Sequence, residues 1–285
     1  MDLVPTLLRA ALLPVSLGLL ATWLLGRGPL RWRQLSAGLS LAAAWLAGHL
    51  ALFGMAPWPP QGPDAWLPVL ALGAVLAGWL EHFWDAKRVW VSLWRLVFSL
   101  AMAAVVLHPL VPHALAKPAA LKEAVLLMAL AALSWGCLHI AGRRGPTSLP
   151  VEALAAAAGL AAGAFLLAGY GVMAQSAGAL AAASGGVAIA AWWRPQALPD
   201  GALAGFGALL YTAMTAMVYH FTEDLPRGAF WLLSLAPCGV VLALIGPWKG
   251  SPLGRRVAGM IPVLAMAAAA LYWTWQALPE SQPYY

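Results

Sequence analysis

Ten apolar runs, each about as long as a helix needs to cross a lipid bilayer, dominate this sequence. They lie at residues 3–25, 34–56, 65–84, 89–108, 119–141, 150–172, 174–193, 202–221, 229–247 and 257–278. The gaps between them are rich in glycine, proline and charged residues, and none is long enough for a soluble domain. We therefore predict an all-α fold, a polytopic membrane helix bundle with about ten transmembrane helices.

The composition indicates the same class. Of 285 residues, 62% are hydrophobic and 9% charged, which leaves too few polar residues to cover a soluble core. The formal charge of +6 comes from basic residues in the short gaps, so we expect the lipid bilayer as the partner and no nucleic acid. The sequence does not indicate which protein partners the chain has or whether it forms a homo-oligomer. Cys137 and Cys238 fall inside apolar runs and are interpreted as small buried residues, in preference to a disulfide or a metal pair.

The basic residues predict which way the helices cross. If the first helix begins outside, twelve of the 16 Lys and Arg residues fall at cytoplasmic ends and four at the other ends. The four are Arg9, Lys117, Lys122 and Arg227. Positive residues favour the cytoplasmic side, so we predict a multi-pass protein of the cytoplasmic (inner) membrane with both termini on the non-cytoplasmic side.

Short echoes indicate that the chain is duplicated. They are His82-Phe-Trp-Asp85 with His220-Phe-Thr-Glu223, Leu127 to Trp135 with Ala265 to Trp273, and Ser36-Ala-Gly38 with Ser176-Ala-Gly178, at offsets of 138, 138 and 140 residues. A unit of five helices is odd, so a second copy would enter the membrane in the opposite sense. We predict a 5+5 inverted-topology repeat, with residues 1–138 as the first unit and 139–285 as the second in one membrane domain.

The seventh run contains mostly small residues and should be buried within the bundle. Gly178 and Gly186 are expected to let helix backbones approach closely, because dispersion at close range drives helix association in lipid. Replacing either glycine with leucine should separate the packed backbones.

A central site, if there is one, would be lined by polar residues near the middle of the membrane. The candidates for binding a substrate are His49, Ser184, Tyr211 and Thr215. Pro237 and Pro262 should interrupt the ninth and tenth helices and free backbone carbonyls for a polar solute or an ion.

Two polar clusters end apolar runs. One contains Glu81, His82 and Asp85, and the other contains His220 and Glu223. Each could supply two metal ligands or a proton relay, but solvated helix ends that pair with Arg88 and Arg227 are the favoured interpretation. We assign no metal and no cofactor. A minor alternative is a haem- or metal-binding membrane subunit, with His49 as one axial ligand of a haem.

No phosphate-binding loop, His-Glu-x-x-His or Cys-x-x-Cys motif is present, so we do not expect an enzyme. Two functions fit the pattern. The first is a small secondary transporter for a neutral or weakly polar solute, and the second is a non-catalytic membrane scaffold or subunit of a larger complex. A water-accessible cavity at the midplane would favour the transporter, and a closed bundle with an apolar groove would favour the scaffold.

The predicted topology has a direct test in reporter fusions. Fusions after Arg144 and Arg256 should report the cytoplasm, whereas fusions after Pro60 and at the C-terminus should report the opposite side. A cytoplasmic C-terminal reporter would rule out the ten-helix arrangement.

Overall fold

The computed structural model describes residues 8–27, 30–84, 88–111, 116–193, 200–222, 224–245 and 251–278. Over these residues the chain is helical throughout and contains no strand. Each of the ten apolar runs corresponds to one helical segment. The helices are α1 (Leu13–Leu25), α2 (Leu30–Phe53), α3 (Leu67–Trp84), α4 (Arg88–Leu107), α5 (Lys117–Arg144), α6 (Leu149–Leu167), α7 (Gly171–Trp193), α8 (Asp200–Phe221), α9 (Arg227–Leu235) and α10 (Pro252–Gln276).

Three short segments extend these helices. A π-helical turn, Leu8–Leu12, precedes α1, and a 3-10 turn, Asp64–Trp66, precedes α3. The third is longer: α9 continues as a 3-10 helix over Ala236–Leu244. The ninth run is therefore one continuous helical segment with two kinds of winding.

Seven segments are long and apolar enough to cross a membrane over their described residues. They are α3 with its preceding turn, α4, α5, α6, α7, α9 with its 3-10 extension, and α10. Helix α1 and residues 37–53 of α2 form shorter apolar helices. A helical bundle of this kind is compatible with an integral membrane protein.

Helix α8 lies at the centre of the bundle. Every side chain from Leu203 to Val218 is buried, and the helix packs against α2 to α7 and α9. Two glycines of α8 leave room for side chains of the neighbouring helices at this central position. A Cβ atom at Gly205 would lie 2.6 Å from the Trp135 ring, and one at Gly207 would lie 2.5 Å from a Leu154 methyl group. Large side chains of α5 and α6 thus occupy the space beside the α8 backbone.

Helix α7 is buried, as predicted, and has the largest buried share among the seven apolar spans. Its backbone crosses that of α1 at a reciprocal pair of glycines. A Cβ at Gly18 would lie 2.7 Å from the Ala183 carbonyl oxygen, and one at Gly186 would overlap the Val15 carbonyl oxygen. The expectation for Gly178 was wrong, because nothing lies within 4 Å of the position its Cβ would take.

The turn between α6 and α7 begins earlier than the sequence indicated. We expected the break near residues 171–174, but α6 ends at Leu167 and Gly171 already begins α7. Gly169 provides the reversal with a φ of +76°, a conformation that costs glycine little. The turn therefore needs only Ala168, Gly169 and Tyr170.

The helices of the first predicted repeat unit pack against each other only partly in the same way as the equivalent helices of the second unit. The pairs α1–α2 and α4–α5 correspond to packed pairs α6–α7 and α9–α10. However, α6 packs closely on α10, whereas α1 and α5 share no more than a marginal contact over the described residues. The echoed tryptophans also differ, since Trp135 is fully buried and Trp273 is 50% exposed. The inverted repeat stays a prediction.

The crossing of α1 and α7 can be tested with a matched pair of substitutions. Gly186→Ala should destabilise the bundle by about 1–3 kcal/mol, because the new methyl group meets backbone atoms that cannot rotate away. Gly178→Ala should be neutral or slightly stabilising, since its surroundings are open and alanine favours the helix. Thermal unfolding in detergent, followed by size-exclusion chromatography, measures both. Equal effects of the two variants would contradict the close crossing.

Candidate functional site

The predicted central residues Tyr211 and Thr215 lie on α8 and are fully buried. The Tyr211 hydroxyl donates to the carbonyl oxygen of Leu233 over 3.0 Å, and Thr215 Oγ1 donates to the Tyr211 carbonyl over 2.9 Å. The second bond is the usual return of a threonine to its own helix. Both hydroxyl groups are therefore bonded to backbone, and neither reaches solvent.

A helix break lies directly beside these residues. Pro237 has no N–H, so it cannot donate to the Leu233 carbonyl in an α-helical pattern or to the Ser234 carbonyl in a 3-10 pattern. The Leu233 carbonyl accepts from the backbone N–H of Ala236 and from the Tyr211 hydroxyl, and Ser134 Oγ donates to the Ser234 carbonyl over 3.2 Å. The prediction that Pro237 interrupts the ninth helix is confirmed, but side chains of the protein itself bond to both carbonyls.

The second proline behaves differently. Pro262 was expected to interrupt the tenth helix, and this was wrong, because α10 runs unbroken from Pro252 to Gln276. Helix α10 instead approaches the 3-10 segment at this proline. A Cβ at Gly239 would lie 3.1 Å from the backbone nitrogen of Val263, so the two segments pack backbone to backbone.

His49 lies in a different environment from Tyr211. Its ring is stacked on Trp45 at a centroid distance of 5.0 Å and lies 4.9 Å from Phe53. His49 Nδ1 is 3.2 Å from Ser176 Oγ on α7, and Trp45 Nε1 donates to the Ser176 carbonyl over 3.0 Å. These bonds join α2 to α7.

Ser184, also on α7, is fully buried. Within the part of the chain that the structure describes, its hydroxyl group has no hydrogen-bond partner. The polar partner of His49 is thus Ser176 and not Ser184. Of the four predicted site residues, the described hydrogen bonds join only Tyr211 and Thr215 to each other.

Glu81 belongs to a buried charged cluster at the end of α3. Its Oε1 accepts a hydrogen bond from Arg95 Nη2 on α4, and His139 Nδ1 on α5 lies 3.3 Å from the same oxygen. The Glu81 side chain is 2% exposed and that of Arg95 14% exposed. The Arg95 guanidinium also lies 5.8 Å from the centre of the Trp135 ring. Three helix ends are therefore joined around one carboxylate.

Sequence reasoning named Glu81 but missed Arg95 and His139 as its partners. The sequence does contain a signal for this grouping, because all three residues lie at helix ends that are predicted to be cytoplasmic. The side chain of His82 and all of Asp85 and Glu223 lie outside the described residues. His220 is described, and its Nε2 lies 3.9 Å from Glu123 Oε2 on α5, a contact between helices.

A second charged cluster joins three other helix ends. Arg256, at the beginning of α10, donates to Ser148 Oγ over 3.0 Å, and its Nε lies 3.7 Å from Glu152 Oε1 on α6. Trp192, at the end of α7, donates to the same Glu152 oxygen over 2.7 Å. The sequence predicts that these three ends lie on the cytoplasmic side. The structure brings them together.

An apolar groove lies between α3 and α4, with one residue of α8 at its floor. Its volume is about 190 Å³. The lining residues are Val69, Leu70, Gly73, Ala74, Phe98, Ala101, Met102, Val105 and Leu209. Nothing lies within 4 Å of the position a Cβ of Gly73 would take, so this glycine leaves a notch in the wall.

Comparison with known proteins finds no matching family model and no matching curated protein. Among the described residues, no three His, Cys, Asp or Glu side chains come together as a metal site would require. The arrangement consists of a buried centre in which Tyr211, Thr215 and Ser134 bond to backbone carbonyls, charged clusters at helix ends and an apolar groove between two helices.

The energetic role of the buried cluster can be compared with that of the second cluster. Glu81→Gln should lower stability by about 3–5 kcal/mol, because it leaves the Arg95 charge without its carboxylate in a buried position. Glu152→Gln should lower stability by only about 1 kcal/mol, since Arg256 is 37% exposed and keeps water as a partner. Thermal unfolding of both variants in the same detergent gives the comparison. An equal loss of stability in the two variants would show that burial of the ion pair does not determine the cost of removing its carboxylate charge.

Proposed function

We propose that this chain is an integral membrane protein with ten crossings that serves as a non-catalytic subunit of a larger complex. Its partner is a membrane protein that docks one apolar transmembrane helix in the groove between α3 and α4. The observation that carries the proposal is the apolar, laterally open groove beside a centre whose described hydroxyl groups are buried. The lipid bilayer is the surrounding solvent.

The groove suits a helix for two reasons. Gly73 leaves a notch at which a bulky apolar side chain of a neighbouring helix would fit, and small residues favour close helix approach in lipid. Exposed apolar side chains, Leu72 and Leu76 on α3 and Val97 and Leu100 on α4, extend the surface beside it. A partner helix would gain dispersion contacts with these side chains that mobile lipid tails make less completely.

The charges of the bundle fit this role. In the described residues, Glu81, Glu123 and Glu152 each lie within 4 Å of a basic side chain of another helix. Such pairs hold helix ends together, and they do not mark a path through the bundle. The proposal therefore gives the protein a structural role and no chemical reaction.

A secondary transporter is the second candidate. The specific observation in its favour is the break in the ninth segment at Pro237, beside Tyr211 and Ser134. If the hydrogen bonds of these hydroxyl groups were exchanged, two backbone carbonyls at the bundle centre would become available to a weakly polar solute. This candidate requires that water reach Thr215 in some state of the protein.

Photo-cross-linking tests the docking proposal. A photoactivatable amino acid at Ala101, inside the groove, should yield a discrete protein adduct in native membranes. The same amino acid at Ala269, an exposed position on α10, should give only lipid adducts. Gly73→Leu should remove the adduct at Ala101 and the co-purification of the identified partner, because leucine fills the notch. Ala269→Leu is the matched control and should leave both unchanged.

Two outcomes would contradict the proposal. One is lipid adducts alone at Ala101. The other is labelling of a cysteine at position 215, in a Thr215→Cys variant without the native cysteines, by a membrane-impermeant thiol reagent. That labelling would favour the transporter.

A further inference from the structure

The structure brings the only two cysteines of the chain together. Cys137 lies on α5, and Cys238 lies on the 3-10 segment one residue after Pro237. Although 101 residues separate them in the sequence, the Cys238 sulfur lies 3.6 Å from the Oγ of Ser134, which is one helical turn from Cys137 on the same face of α5. Both cysteines are reduced, and neither is fully buried. The interpretation of both as small buried residues was therefore incomplete, because each is partly exposed.

The pair has a polar neighbour that positions the Cys238 sulfur. Ser134 lies one helical turn before Cys137 on α5, and its Oγ is 3.6 Å from the sulfur of Cys238. The Ser134 oxygen accepts from the Cys238 thiol at this distance, and the deprotonated thiol is the nucleophile in disulfide exchange. The Ser134 hydroxyl also donates to the Ser234 carbonyl, which fixes its position beside the 3-10 segment.

We propose that Cys137 and Cys238 are a redox modification site, at which a membrane-permeable low-molecular-weight disulfide oxidises the two thiols to an intramolecular disulfide. Both cysteines lie in apolar segments with partial exposure, so an uncharged reagent that dissolves in the bilayer can reach them. Charged reagents are excluded by the same surroundings.

The reaction is balanced in two exchange steps. The sulfur of Cys238 attacks one sulfur of the small disulfide, forms a mixed disulfide and releases the first small thiol, which takes up the cysteine proton. The sulfur of Cys137 then attacks the Cys238 sulfur and releases the second small thiol with the second proton. One S–S bond has formed in the protein, and the S–S bond of the reagent has been reduced to two thiols.

The product would change the mechanics of the bundle. Helix α5 belongs to the first half of the chain and the 3-10 segment to the second, so the disulfide would tether the two halves covalently. The contact lies beside the helix break, where the 3-10 winding has weaker hydrogen-bond geometry than an α-helix. Oxidation would therefore fix the most irregular segment of the described structure, and a reductant able to enter the bilayer would release it.

The test uses the full-length protein in lipid nanodiscs with the uncharged reagent dithiodipyridine. We expect two equivalents of thiopyridone per chain, an intact mass lower by two hydrogen atoms, and a cross-linked peptide pair containing Cys137 and Cys238. The anionic reagent dithionitrobenzoate should react much more slowly. The thermal unfolding midpoint should rise on oxidation and fall back with a membrane-permeable reductant.

Single substitutions provide the controls. Cys137→Ser and Cys238→Ser should each stop at a stable mixed disulfide, with one thiopyridone released per chain. Neither variant should show the rise in the unfolding midpoint that oxidation causes in the wild type. The proposal is overturned if the wild type carries two separate adducts and no cross-link, if it does not react, or if the anionic reagent reacts as fast as the uncharged one.

Discussion

Buried polar groups in this bundle have mainly other protein groups available as partners, and this constraint explains its irregular features. A backbone carbonyl without a hydrogen bond in an apolar interior costs roughly several kcal/mol, which is the free energy of moving an amide group out of water. At the break, Ser134 on α5 donates to the Ser234 carbonyl, which Pro237 cannot reach as a donor, and Tyr211 on α8 adds a second bond to the Leu233 carbonyl beside that from Ala236. The hydroxyl groups and the proline are thus parts of one arrangement.

The same constraint governs the charges. Glu81 is accommodated because Arg95 and His139 converge on it from neighbouring helices, and Glu152 because Arg256 and Trp192 do the same at three other helix ends. Each cluster fixes how far one helix slides along another. The charged residues therefore set the register of helices whose apolar faces alone would pack in many ways.

The number and order of the helices could be predicted from the sequence, because the length of an apolar run is a local property. The burial of α7 could also be predicted, because its content of small residues is likewise a local property of the sequence. What could not be predicted was the partner of each glycine: Gly186 meets the α1 backbone, while Gly178 meets nothing, although both belong to the same small-residue pattern.

The candidate site was predicted less well because its contacts join distant segments. Tyr211 and Thr215 lie at the centre, as expected, yet His49 bonds to Ser176 on another pair of helices. Arg95 and His139 were missed as partners of Glu81, since the distribution of basic residues predicts the side on which a helix end lies and not which helix ends are adjacent. The central position of α8 was also missed, because it depends on Trp135 and Leu154 filling the space beside two glycines.

The 3-10 winding of the ninth segment also has a consequence for its length. A 3-10 helix rises about 2.0 Å per residue, compared with about 1.5 Å in an α-helix. The nine residues of α9 therefore rise about 13.5 Å, and the nine of the 3-10 segment about 18 Å. Wound entirely as an α-helix, the same residues would reach about 27 Å, short of a hydrocarbon core about 30 Å thick. With the 3-10 winding the same eighteen residues reach about 31.5 Å, which is long enough to cross a hydrocarbon core of that thickness without a tilt.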